Sequence, residues 1–387
     1  MVQKDNVRQA IPAGRIFDGF RWHQRAAVLI EDGRVRELCA ADAVPPDYKT
    51  HTLPDGAILA PGFIDLQVNG GGGVLLNGNP MPEAMRAIAR VHRRFGTTAL
   101  LPTFITDTRE KAIAAIAAAK EAAGKGGVLG LHLEGPFLNP ARAGVHRKDH
   151  IAKAEMADLE WLLPLANAGH SMMTLAPECV PPEFIHALAS RGIRVSAGHS
   201  EASAGVMHNA IAEGLTGVTH LFNAMLPFAG RAPGIVGTAL SDSRLIAGII
   251  VDGLHVDPVS VRAAFAAKGA AGIALVTDAM PTAGASSPQF DLLGTNITLR
   301  NGRLITDDGT LAGAHLDMAS AVRNAVQLAR IPLEYALISA SRTPARFLGV
   351  DHRRGALISG ARADLVALSP ELNVLTTWVS GECEDTS

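Results

Sequence analysis

Leu131-His132-Leu133-Glu134-Gly135-Pro136-Phe137 reads as a short buried strand that stops at a carboxylate, with Gly135-Pro136 turning the backbone at once. A carboxylate at the mouth of a buried strand is costly unless something positive meets it. Taken alone, the stretch favours an acid that caps a turn or pairs with a basic residue. The balance shifts because the same pattern, an apolar strand running into polar residues, recurs along the chain.

Strand-like runs cover residues 58–66, 98–104, 127–134, 172–176, 193–199, 217–221, 245–251 and 273–278. Helical patterns lie between them at 82–95, 108–123, 154–168, 182–191, 202–213 and 258–268. Alternation of this kind predicts an α/β fold, a (β/α)8 TIM-like barrel rather than an open sheet. Apolar runs at 27–30 and 34–38 flank Asp32-Gly33 as a hairpin, and the tail returns to short strands at 356–358, 364–368 and 374–379. Neither end alone could bury a core, so the two are expected to combine into a small β-sandwich. The expected division is 1–57 with 356–387 for the sandwich and 58–355 for the barrel. A hairpin insertion is expected near 289–307, with strands 290–299 and 303–306 joined across Asn301-Gly302. Helices are expected after it at 316–329, 332–341 and 344–348.

Composition limits the function. With 48% hydrophobic and 19% charged residues in 387, the chain can build a large core and is not of a disordered type. A net charge of −2 offers no electrostatic footprint for nucleic acid or anionic lipid. Cys39, Cys179 and Cys383 are isolated, which suits a reducing compartment rather than a disulfide framework. Residues 1–10 lack the apolar core of a secretory signal, and the apolar runs 112–119 and 245–251 are too short to span a bilayer. A soluble, cytoplasmic protein is the expectation.

Barrel enzymes place their chemistry at the C-terminal ends of the strands. In this chain those ends carry Glu134 on strand three, His199 on strand five, His220 on strand six and Asp278 on strand eight. Each alone reads more readily as a hydrogen-bonded structural residue or a turn cap, but one barrel face explains all four together. One Glu and two His suit a divalent transition metal with an open position, Zn²⁺ first, with Fe²⁺, Co²⁺ or Mn²⁺ as alternatives. One carboxylate leaves such a site near +1, enough to acidify a water and polarise a carbonyl. Asp278 would take the water proton and deliver it to a leaving group. Strand one carries Gln67 and Asn69 where a second metal would need imidazoles, and strand four ends in Ala176-Pro177-Glu178 without a lysine to bridge two ions. One metal per subunit is therefore expected, with Glu178 reading first as a turn cap and second as a minor participant in the site.

The segments PGFIDLQVNGGGG (61–73), PTFIT (102–106), LHLEGPF (131–137), TLAPE (174–178), SAGHS (196–200), THLFNAM (219–225), DGLHV (252–256), TDAM (277–280) and LAGAHLDM (311–318) resemble the N-acetylglucosamine-6-phosphate deacetylases of the amidohydrolase superfamily. GALISGARADLVAL (355–368) is similar to the superfamily's closing segment, so the resemblance spans essentially the whole chain.

That resemblance implies Glu134, His199 and His220 as metal ligands and Asp278 as general base, then general acid. It implies that His146 contacts substrate near the scissile amide, and that Asn223, the Ala224 amide and His255 hold the sugar phosphate. Arg231 would reach the phosphate of a neighbouring subunit in a homodimer, and Leu311, Ala312, Gly313 and Met318 would line the sugar pocket. An arginine and backbone N–H groups are what a dianionic phosphate needs. Where family members carry small residues and a threonine, this chain has His315 and Asp317, of which His315 reads as a helix-start residue. The expected reaction is hydrolysis of N-acetylglucosamine 6-phosphate to glucosamine 6-phosphate and acetate. Its rivals are the galacto isomer, a cyclic amide, and a non-catalytic barrel.

Overall fold

The apolar runs IALV, IAGII and MMTL have little polar alternation because the strands they form are covered on both faces, as in parallel sheets. The computed structural model describes residues 8–384, so the first seven residues, on which the expected absence of a signal partly rests, and the last three lie outside the described residues. Eight parallel strands pair in chain order: Phe63–Val68, Thr97–Ile105, His132–Glu134, Met172–Leu175, Arg194–Ala197, Leu215–Val218, Ile246–Ile250 and Ile273–Val276. The ring closes where strand eight returns to strand one. Asp278 N donates to the Gln67 carbonyl at 3.0 Å, and Asn69 N to that of Ala279 at 2.8 Å.

Several surrounding helices start where the sequence sets a cap. Thr108 accepts from Lys111 N ahead of Arg109–Ala122, Ser203 from Val206 N ahead of Ala204–Ala212, and Asp257 from Val259 N ahead of Pro258–Lys268. The helix expected over 154–168 is instead three short turns, Met156–Asp158, Leu159–Leu162 and Leu163–Asn167, because Pro164 has no N–H to continue the ladder. Gly234–Ser241 is a helix that the sequence pattern did not reveal.

The expected strand at 58–66 is two strands in different sheets. Ile58–Pro61 pairs with Arg8–Phe17 and Leu365–Leu368 in the terminal sheet, and Phe63–Val68 opens the barrel. Gly62 is the break: a Cβ there would lie 2.2 Å from Thr98 Cγ2, so only glycine lets the two sheets approach this closely. The terminal sheet joins Glu382–Glu384, Val374–Val379, Leu365–Leu368, Ile58–Pro61, Arg8–Phe17, Trp22–Glu31 and Arg34–Ala40 in that order, with Lys49–Thr50 beside Arg8–Phe17. Its strands enclose Ile11, Val28, Leu59, Leu365 and Trp378 in a core of their own. The expected strand at 356–358 is absent; Leu357 instead plugs this core while its N–H donates to the Asp18 carbonyl at 2.8 Å.

The insertion is larger than a hairpin. Gln289–Leu292, Thr295–Arg300, Arg303–Ile305 and Leu311–Ala314 form a four-stranded antiparallel sheet. Leu292, Ile297, Leu304 and Ala312 pack on Ile105 and Met280, which seats the sheet against the barrel rim beside the strand ends.

Candidate metal and active site

Glu134 is the last residue of its strand, and His199, His220 and Asp278 each lie two residues beyond theirs. The last three hold φ of 48°, 34° and 51°, the left-handed region that non-glycine residues rarely adopt. That conformation ends each strand sharply, and strain of this kind concentrates where a side chain must be aimed at a site. All four side chains converge. Glu134 Oε1 lies 3.3 Å from His199 Nε2 and 3.1 Å from His220 Nε2, and the two imidazole nitrogens are 3.0 Å apart.

A tetrahedral ion with bonds of ~2.0–2.1 Å spaces its ligand atoms by roughly 3.3 Å, so these three atoms fit the corners of one face. His199 Nδ1 donates to the Arg142 carbonyl at 2.8 Å, which leaves its Nε2 lone pair facing Glu134 and His220. Burial pushes the Glu134 carboxyl up, but hydrogen bonds from His199 and His220 outweigh it and hold the group well below the ordinary range. Burial opposes protonation of His220, yet the adjoining Glu134 raises it overall. Glu134 and His220 shift each other, and one divalent ion held by them and His199 would satisfy all three groups. His146 groups more loosely with Glu134 and His199, their ligand atoms within 4.8 Å of one another. Its Nδ1 is engaged by Thr106 Oγ1 at 2.8 Å, so Glu134, His199 and His220 make the tighter set.

Asp278 faces this cluster from strand eight. Burial first, then the charge of Glu134, pushes its carboxyl above its ordinary value. Asn69 Nδ2 donates to Asp278 Oδ1 at 2.6 Å and Gln67 Nε2 to the same oxygen at 3.1 Å. Gln67 Nε2 also lies 3.3 and 3.2 Å from the two Glu134 oxygens, so one amide spans both carboxylates.

A cavity of about 320 Å³ opens above these groups, lined by His146, Asn223, Ala224, His255, Leu311 and Gly313 together with Glu134, His199, His220 and Asp278. His255 is oriented by Asp252, whose Oδ2 lies 2.6 Å from its Nδ1. Two residues expected to line the pocket, Ala312 and Met318, lie elsewhere, and Arg231, expected to serve a neighbouring subunit, lies outside it. Ala312 faces the insertion core, Met318 is buried where the Met318–Gln327 helix begins, and Arg231 sits on an exposed loop outside the cavity. Asp317 caps that same helix by accepting from Ser320 N at 2.8 Å, and His315 lies 3.0 Å from Thr282 Oγ1.

The contacts that support these residues have no signature in the sequence. Thr106 holds His146, and Gly135 makes room for it: a Cβ on Gly135 would lie 2.1 Å from Thr106 Oγ1. Glu178 accepts from Asn139 Nδ2 at 2.9 Å, Ser200 Oγ at 2.5 Å and Glu201 N at 2.6 Å. It thereby ties the loop that carries Arg142 and His146 to the loop that carries His199, which is more than a turn cap. These links join residues far apart in the chain, and no local spacing announces them.

The chain matches the amidohydrolase family over residues 58–383. It is 40% identical over 365 residues to an N-acetylgalactosamine-6-phosphate deacetylase of Shewanella sp. (strain ANA-3), covering 93% of this chain and 91% of that one. It is 40% identical over 345 residues to the N-acetylglucosamine-6-phosphate deacetylase of Homo sapiens, covering 84% and 83%. The solved N-acetylglucosamine-6-phosphate deacetylase of Pasteurella multocida superposes with a TM-score of 0.94 at 36% identity, covering 98% of this chain and 100% of that one.

Proposed function

Because the chain belongs to the amidohydrolase family, we propose that its barrel mouth hydrolyses the acetamide of N-acetylglucosamine 6-phosphate, giving glucosamine 6-phosphate and acetate. Four groups from four strands meet at one end of the barrel, three at the spacing of metal ligands and the fourth a half-buried carboxyl beside them, and that convergence supports the assignment most directly.

Glu134, His199 and His220 hold one divalent ion, Zn²⁺ by the chemistry of the donor set. When bound, such an ion supplies a Lewis acid for the amide carbonyl and acidifies a water. Asp278 accepts the proton of the attacking water, and its raised affinity for a proton suits a group that must then give it up to the leaving nitrogen. His146 is pushed down to about 3 by burial and then by His199, so it works as a neutral imidazole. When the Thr106 hydroxyl turns its hydrogen to this Nδ1 rather than to the Glu134 carbonyl 3.3 Å away, the ring proton sits on Nε2, the donor that a developing oxyanion needs. Asn223, the Ala224 amide and His255 hold the sugar phosphate at the cavity wall. Arg231, on its exposed loop, reaches the phosphate of a second copy in a homodimer.

The three cysteines are unpaired, and no helix among the described residues is long and apolar enough to cross a membrane, in keeping with a cytoplasmic enzyme. A second reading is favoured by the Shewanella relative: the galacto isomer, which differs only at C4, is the preferred substrate. Acetate release from N-acetylglucosamine 6-phosphate, its galacto isomer and the unphosphorylated sugar separates the two readings. In the same assay Asp278→Asn should lose turnover while keeping one metal per subunit. Near-normal turnover in a fully metallated Asp278→Asn protein would overturn the mechanism.

A further inference from the structure

Two neutral amides stand on strand one beside the acid–base carboxyl, and the mechanism above gives them no task. Asn69 is buried at the cavity wall, and its Nδ2 donates to Asp278 Oδ1 at 2.6 Å, the shortest contact that carboxylate makes. Gln67, also buried, donates to the same oxygen at 3.1 Å. No hydrogen bond among the described residues reaches Asp278 Oδ2. The amide of Asn69 is not free to turn over, because its carbonyl oxygen would then meet the carboxylate; that oxygen is instead buried without a protein partner. The Asp278 backbone is pinned as well, its N–H donating to the Gln67 carbonyl at 3.0 Å and its φ fixed at 51°.

We propose that Gln67 and Asn69 are positioning residues that hold Oδ1 of Asp278 as a standing acceptor, so that Oδ2 alone carries the proton. An oxygen that already receives two N–H donors is a poor place for a third hydrogen, whereas Oδ2 is open. The proton balance is simple. An O–H bond of water breaks as Oδ2–H forms and the remaining hydroxyl bonds to the carbonyl carbon; later Oδ2–H breaks and N–H forms as the C–N bond of the acetamide cleaves. Water and amide are consumed, acid and amine are produced, and Asp278 ends as it began. A carboxylate free to rotate would spend part of its time with neither oxygen in line, and small misplacements of a reacting group can cost ~100-fold in rate.

The proposal rests on Asp278 being the acid–base group, and the experiment separates the two ideas. Asn69→Leu removes the donor at similar volume, and Gln67→Leu serves as the second variant should the first fail to fold. Each is purified with its metal and compared with the wild type and Asp278→Asn for metal per subunit, kcat, KM and the pH profile of kcat. The charged and titratable groups around Asp278 are Glu134, His220, His255 and Asp65, all unchanged in these variants. Asn69 touches none of the proposed ligands, so Asn69→Leu should keep one metal per subunit and a KM within about threefold. Its kcat should fall ~10–100-fold, with the acid limb of the profile moved to higher pH because the carboxylate has lost a donor that favours the anion. Retention of kcat within threefold at full metal occupancy would overturn the proposal. So would a loss of kcat with an unmoved acid limb, which is what mere loosening of the fold produces. An active Asp278→Asn protein would instead overturn the assignment of the acid–base group itself.

Discussion

Asp65 lies directly beneath the site and offers a sharp test of how the barrel mouth is held together. Its carboxyl is fully buried and accepts from Gln67 N at 3.1 Å, Thr277 N at 3.3 Å and Thr277 Oγ1 at 2.6 Å, tying strand one to the residue before Asp278. Burial is nonetheless the largest influence and pushes it from 3.8 up to about 7. The sign follows from linkage. Between pH ~4 and ~7 the native chain keeps a proton here that the unfolded chain has lost, so stability falls as pH rises through that window. At ~1.4 kcal/mol for each pH unit, the penalty grows to roughly 4 kcal/mol by neutral pH. Asp65→Asn copies the protonated form. The Thr277 hydroxyl, already 3.3 Å from the Gln67 carbonyl, can turn to donate there and accept from the new amide, so the network survives. The variant should exceed the wild type by ~1–2 kcal/mol near pH 5 and by ~4 kcal/mol at pH 8. Urea midpoints of both proteins at pH 5, 6.5 and 8 measure this directly. Parallel pH profiles, or a variant weaker than the wild type at pH 8, would refute the reasoning.

Glu134→Ala should leave the protein folded but unable to retain a stoichiometric divalent ion, as read by elemental analysis after desalting; wild type stripped by a chelator should lose activity and regain it on adding one equivalent of metal. Gly135→Ala forces a Cβ to within 2.1 Å of Thr106 Oγ1 at a φ of 89°. It should destabilise the fold by ~1–3 kcal/mol and lower kcat by displacing the partner of His146, which thermal unfolding and steady-state kinetics would report. Asp317→Ala should cost about 1 kcal/mol through the lost helix cap and leave kcat unchanged; a large kinetic effect would show that Asp317 does more than cap.

Most of the barrel was legible because a strand covered on both faces becomes an apolar run that ends where the chain emerges. Residues 172–176 and 273–278 carry that signal alone, and the strands there fall within a residue or two of it. It failed where one apolar run served two elements. Residues 58–66 read as a single strand because Gly62 interrupts neither the apolar character nor the β propensity, although it changes sheets. The run 290–299 hid the Leu293-Gly294 turn in the same way, which made two strands look like one. Gly234–Ser241 escaped because its two glycines argue against helix, and burial against neighbouring elements overrides that propensity.

The site divides along a similar line. Glu134, His199, His220 and Asp278 could be read because each stands at the end of its own strand, so barrel topology alone brings them to one mouth. Their partners have no such signature. Arg142 acts on His199 through a carbonyl that any residue could supply, and Thr106 reaches His146 across forty positions of sequence. Gln67 and Asn69 fall between these cases. Their sequence positions were noticed only for the imidazoles they lack, as a reason to expect one metal instead of two. In the structure the same amides point their N–H groups at Asp278, so side chains that bind metal poorly supply the donors a catalytic carboxylate needs. A second cation held by imidazoles on strand one would compete with that arrangement for the same oxygen. Under the proposed mechanism, the amides that would favour a single ion at this mouth would therefore also be the ones that let Asp278 be held, with one oxygen anchored and the other free to move a proton.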